Sequence, residues 1–290
     1  MEIRRELQGK LLAFQRNELT EHHIYARLAH TARSAENRGL LAKIAQQELE
    51  HYQYWRGHTG VELRPNRLQI WVYYALSRVL GLTFGLKLME RGEEEVQDHY
   101  EQLRGAVPGV EALIREEHEH EHTLLGLLDE QGLRYTGSIV LGLNDALVEL
   151  TGALAGLTLA LQNGRLVAMT GLITGTAAAL SMAASEYLSV RAEGEHRNPT
   201  RAAVYTGIAY IITVIILIAP YLALRELYLS LALTLGAAVL IIASFNYYVA
   251  VARDVPFRRR FVEMAALSLG VAAFSFGVGF VLRSLFGIEV

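Results

Sequence analysis

The chain has 290 residues, enough for two ordinary domains, and its halves differ: residues 1–135 hold 21 acids, 17 bases and nine of ten histidines, residues 136–290 only 9 acids and 10 bases. That asymmetry excludes one uniform soluble globule, and no basic patch is dense enough for a nucleic-acid binder. The absence of cysteine excludes disulfide frameworks, thiolate zinc sites, iron–sulfur clusters and a cysteine nucleophile.

The first 25 residues are charged and helical in pattern, without the apolar stretch of a signal peptide. Apolar periodicity predicts four helices in the first half, over 2–32, 35–57, 66–105 and 108–131, with breaks at Ser34, Gly57 to Pro65 and Gly105 to Pro108. Residues 68–86 approach span length, but Arg78 sits mid-segment, so a buried soluble helix is expected there and not a sixth span.

Each helix interrupts its own apolar stripe with acid. Glu18 and Glu21 follow Phe14 in the first, and Glu48 and His51 follow Ile44 in the second. Glu90 and Glu93 follow Leu86 in the third, and Glu117 and His120 follow Leu113 in the fourth. Two Glu-x-x-His pairs on alternate helices, with glutamates on the core face of the others, suit a two-metal carboxylate site, each imidazole completing one metal's ligand set. Glu119-x-x-His122 is a second match on the fourth helix; Glu117 and His120 are favoured because their stripe continues to Leu124. Glu21 and Glu93 are extra ligands or groups behind the ligands. Glu94 and Glu95 fall off the stripe, and His23, His30, His58 and His99 receive no role.

After residue 138 five apolar segments reach spanning length: 139–162, 166–190, 203–223, 227–251 and 261–286. The side of the N-terminal half carries eight arginines near the span ends and the opposite side three. That bias expects the N-terminal domain in the cytoplasm and the C-terminus outside. Ionisable groups within spans are costly and functional by default. Asp145 and Glu149 share one face of the first span, and Met182 and Glu186 one face of the second. At 1.5 Å per residue Asp145 lies about 9 Å and Glu149 about 15 Å from the cytoplasmic end, Glu186 about 6 Å and Met182 about 12 Å. Carboxylate oxygens with a thioether suit a divalent transition metal over Mg²⁺ or Ca²⁺. The pairs Gly152/Gly156 and Gly171/Gly175 have the spacing that lets helices approach closely.

Both halves resemble known families. Glu18, Glu48-x-x-His51, Glu90 with Glu93, and Glu117-x-x-His120 resemble the ferritin-like superfamily, nearest its rubrerythrin-type module, over about 130 residues. Unlike full rubrerythrins the chain has no cysteine, hence no rubredoxin centre. The second half resembles the vacuolar iron transporter family through Gly142-Leu-Asn-Asp145-Ala-Leu-Val and Ala179-Leu-Ser-Met182-Ala-Ala-Ser-Glu186-Tyr-Leu-Ser-Val. That resemblance implies a homodimeric metal/proton antiporter whose ion path is lined by the first-span Asp and second-span Met; Glu149 departs from the family's usual apolar or hydroxyl residue. Together the halves resemble membrane-bound ferritins, which export iron.

The expectation is an all-α protein: a ferritin-like four-helix bundle over 1–135, and a five-span transporter domain over 136–290 in the cytoplasmic membrane. It would export Fe²⁺, with Mn²⁺ equally suited to the ligands, through Asp145, Glu149, Met182 and Glu186, in exchange for protons. No catalytic residue is assigned. The rival expectation is a membrane-anchored di-iron oxidase or peroxidase, against which five spans and a carboxylate in lipid both argue.

Overall fold

A computed structural model describes residues 2–32, 34–89, 91, 109–126, 135–194 and 197–286. Every regular element among the described residues is a helix. The chain divides into two compact units, Met1–Asp129 and Glu130–Val290.

In unit 1, α1 (Glu2–Thr31) packs along α2 (Ala35–Thr59). The Ser34 hydroxyl caps α2 by accepting from the Asn37 amide, and Gly60, at φ 66°, closes it with a left-handed turn. The following loop is tied back to α1, where Gln15 donates to the Val61 carbonyl and the Thr20 hydroxyl accepts from the Asn66 amide. Asn66 then caps α3 (Arg67–Val79), and Val110–Gly126 forms α4. Ile24, Tyr25, Leu28, Leu41 and Ile44 build one core cluster, and Phe14, Trp55, Val110 and Leu113 another.

Two expectations for this unit need correction. The single helix expected over 66–105 is broken at Leu80 and Gly81, where Gly81 adopts φ +102°, a backbone that side chains other than hydrogen resist. Helix resumes over 82–89. Nor is α3 buried: Ile70 and Ser77 face the core, but Leu68, Trp71 and Val79 stand in solvent. Periodicity detects an apolar face without saying whether anything covers it. Glu90, Glu93, Glu94, Glu95 and His99 lie outside the described residues.

Unit 2 consists of five helices, each long and apolar enough to cross a membrane. They are α5 (Thr136–Leu161), α6 (Gly164–Glu193), α7 (Pro199–Ala223), α8 (Leu227–Arg253) and α9 (Phe257–Phe286). The protein is a multi-pass membrane protein. Asparagines cap two of these helices: Asn163 accepts from the amides of Arg165 and Leu166, and Asn198, before Pro199, accepts from that of Arg201. Leu150, Leu154, Val214, Leu217 and Ile218 fill the centre, and the buried hydroxyls of Thr158 and Tyr221 bond each other at 2.6 Å.

The expected glycine pairs are used up inside the chain. A Cβ at Gly156 would lie 2.9 Å from the Ser275 carbonyl oxygen, and one at Gly279 would collide with the Gly156 carbonyl, so α5 and α9 touch backbone to backbone. Gly171 and Gly175 receive Leu154 and Val214. Their spacing therefore serves packing within one chain and carries no information about self-association.

Candidate metal centre

The acids that interrupt the stripes of unit 1 converge because those stripes face the same interior. Glu18 and Glu21 on α1, Glu48 and His51 on α2, and Glu117 and His120 on α4 are all buried. Ligand atoms of Glu48, His51, Glu117 and His120 lie within 4.8 Å of one another, as do those of Glu18, Glu21 and Glu48. Glu48 belongs to both groups. Glu119 points to solvent, and the His122 side chain lies outside the described residues.

The geometry is that of a cation pocket. His51 Nδ1 sits 2.8 Å from Glu117 Oε1 and 3.6 Å from both Glu18 Oε2 and Glu48 Oε2. His120 Nδ1 sits 3.1 Å from Glu48 Oε1 and 3.8 Å from Glu117 Oε2, and the two imidazoles stack at 5.5 Å. Both nitrogens of His120, Nδ1 of His51 and Oε2 of Glu48 are buried without a hydrogen bond among the described residues. Buried polar atoms are seldom left so, and one ligand atom from each of Glu48, His51, Glu117 and His120 gathered within 4.8 Å suits an ion.

Behind the ligand atoms, other side chains fix their orientation. Trp55 Nε1 donates to Glu18 Oε1 at 3.2 Å, and Asn17 donates to Glu21 at 2.6 Å. His51 Nε2 meets Glu116 Oε2 at 3.1 Å. With that nitrogen held as the N–H, Nδ1 is the atom that would meet a metal once its own proton has left. Sequence reasoning missed Glu116, which lies off the α4 stripe; the signal available was its place immediately before Glu117.

Burial, reinforced by the neighbouring charge of Glu117, holds the Glu48 carboxyl well above the ordinary range, against the opposing pull of His51. Burial raises Glu117 as well, again against His51. Burial would lower His51, but the facing carboxylates of Glu117, Glu18 and Glu48 outweigh this and raise it. His120 is pushed down to about 4 by burial and by the charge on His51, with Glu18 opposing. It is therefore a neutral imidazole at ordinary pH, the form that binds metals.

In unit 2 the structure treats the four expected residues differently. Glu186 is buried and accepts from the Ser138 hydroxyl at 2.6 Å, while the Ser138 carbonyl accepts from Thr206, joining α5, α6 and α7. Glu149 is exposed and accepts from Tyr210 Oη at 2.8 Å. Asp145 is half-buried, and Met182 packs half-buried against the core. Among the described residues no hydrogen bond or ion pair joins these four to one another. A cleft of about 540 Å³ opens beside Glu149 and Tyr210, lined by Gly152, Gly156, Ser275 and Gly279.

Residues 136–198, which span α5, α6 and the turn into α7, match the VIT family. No curated protein and no solved structure matches the chain. A region matching the VIT family, at the start of five candidate spans, points to metal-ion transport, and the buried glutamate–histidine cluster of unit 1 could hold a metal.

Proposed function

We propose that the chain exports divalent iron, or manganese, from the cytoplasm in exchange for protons, with unit 1 acting as a ferritin-like module that captures the metal and passes it to unit 2. The observation that carries this reading is the Glu48–His51–Glu117–His120 cluster, occurring in one chain with a VIT-family region that bears carboxylates inside its spans.

Metal would be held in unit 1 by Glu18, Glu48, His51, Glu90, Glu117 and His120, with Glu21 and Glu93 as further ligands or groups behind them. In unit 2 it would meet Glu186 near the cytoplasmic end of α6, then Met182, Asp145 and Glu149 deeper in the spans. Each carboxylate that releases the ion takes up a proton from the outer side and returns it to the cytoplasm, so the cycle exchanges one divalent cation for protons. An exposed carboxylate at the depth of Glu149 is tolerable in lipid only if water or another protein surface covers it. This supports a homodimer whose subunits face each other across α5. The N-terminal unit would lie in the cytoplasm, following the arginine bias.

The test is Fe²⁺ flux into proteoliposomes with and without a pH gradient, comparing wild type with Asp145→Ala. Gradient-dependent flux lost in the variant is expected. Flux unchanged in the variant overturns the assigned path. Absence of flux in both, with O₂- or peroxide-dependent turnover by the iron-loaded chain, replaces the transporter by a membrane-anchored di-iron oxidase.

A further inference from the structure

Helix α3 presents a second apolar face that the packing among the described residues of unit 1 does not use. Ile70 and Ser77 are buried, and Tyr73 and Tyr74 pack partly buried against the core. Across the helix, Leu68, Trp71, Val72, Ala75 and Val79 recur at the three- and four-residue spacing of a single helical stripe. Leu68 is 72% exposed, Trp71 63% and Val79 80%. Scattered apolar residues on a surface are ordinary, but a continuous stripe containing a tryptophan is not. Arg67 and Arg78 project along one edge of it, both exposed, and neither forms an ion pair among the described residues. The helix contains no acid.

We propose that α3 docks unit 1 onto an anionic lipid surface. Trp71, Leu68 and Val79 enter the boundary between headgroups and acyl chains, while Arg67 and Arg78 meet lipid phosphates. An apolar stripe with an aromatic residue and a basic edge is the composition of helices that lie in that boundary.

Two observations favour lipid over a second copy of the chain. A two-fold contact through α3 would bring the arginines of both copies together, with no acid on the helix to neutralise them. Anionic headgroups supply that missing charge. Unit 1 also ends at Asp129 and the first candidate span begins at Thr136, so the chain itself keeps a bilayer within reach. Tethering converts a weak interfacial affinity into stable occupancy.

The chain has two tryptophans, of which Trp55 is fully buried and Trp71 largely exposed, so lipid contact can be read on the intact protein. The experiment places the full chain in nanodiscs of phosphatidylcholine and phosphatidylglycerol, with bromine on the acyl chains of one lipid at a time. Loss of tryptophan emission with brominated phosphatidylglycerol is expected, absent in Trp71→Phe and weakened by Arg67→Gln with Arg78→Gln or by raised salt. Equal emission in brominated and plain lipid, with aqueous acrylamide reaching Trp71 freely, overturns the proposal. So does a Trp71 shielded from both quenchers in discs holding two copies, which assigns the face to self-association. Equal quenching by the brominated neutral lipid overturns the requirement for anionic charge. Metal flux does not enter the readout, so failure here leaves the proposed transport standing.

Discussion

The Nε2 atom of His51 lies 3.1 Å from Oε2 of Glu116, a residue adjacent in sequence to the Glu117 that faces the other ring nitrogen. Two successive residues of α4 thus grip the imidazole from opposite sides. The Glu116 side chain is 41% exposed, so its replacement leaves no buried charge stranded. Glu116→Ala is expected to weaken metal binding by unit 1 about 10- to 100-fold, the usual cost of removing the group that orients a ligand histidine, with Glu116→Gln milder. Competition titration of the full chain against a chelator measures it; unaltered affinity removes Glu116 from the site.

Metal binding to this cluster is expected to release protons and to weaken as pH falls. Burial keeps Glu48 and Glu117 protonated above the usual carboxylate range, and the surrounding carboxylates keep His51 protonated. A metal must displace those protons, and lower pH holds them more firmly. His120, held near 4, contributes none at neutral pH. Calorimetry in buffers of differing ionisation heat counts the protons; zero release contradicts the burial argument.

Without metal, unit 1 is expected to lose stability as pH rises above about 6.5. His51 is raised in the folded chain, so above its ordinary value of 6.5 the folded state binds more protons than the unfolded. Glu48 is raised as well and acts in the same direction from 4.5 upward. His120 acts oppositely, with stability gained as pH rises from about 4 to 6.5, and is silent above that window. Trp55 emission reports the transition, since this buried indole bonds Glu18. A metal-free unit 1 that stabilises steadily from pH 6.5 to 9 would contradict the assignment.

Tyr210→Phe is expected to reduce flux roughly tenfold, the scale of a lost hydrogen bond to a charged group. Tyr210 on α7 holds the Glu149 carboxylate at 2.8 Å. In a Glu149→Gln background the same change should add little, because the bond it removes is no longer charge-assisted. Additive losses in the double variant would separate the two residues.

Gly279→Ala is expected to destabilise unit 2 by about 1–3 kcal/mol, as overpacking does. The new methyl meets the Gly156 carbonyl, a backbone atom that cannot turn aside. At Gly171 the neighbour is the tip of Leu154, which can rotate away, so Gly171→Ala is expected to cost less. Thermal unfolding in detergent compares the two.

The five spans were legible because each is a long apolar run closed by charge or a capping asparagine, and the sequence boundaries differ from the helices by only a few residues. Glu48, His51, Glu117 and His120 were legible because each spoils an apolar stripe that should otherwise be continuous. Glu116 was not, since its partner lies 65 residues away on another helix. The Tyr210–Glu149 and Ser138–Glu186 bonds escaped for the same reason: a single helix's periodicity reveals a face but not what stands across from it. The outward stripe of α3 and the break at Gly81 were misread because an apolar run alone does not distinguish a covered surface from an open one.

The backbone contact between Gly156 and Gly279 also bears on how the membrane unit is made. It joins the helix synthesised first among the five to the one synthesised last, with α6, α7 and α8 emerging between them. While the chain is still being made, the small-residue flank of α5, one turn from Glu149, has no permanent neighbour. Closure of that flank waits for α9. A ribosome stalled after α8 would leave an inserted but unsealed intermediate, the state in which quality-control proteases would find α5 most accessible.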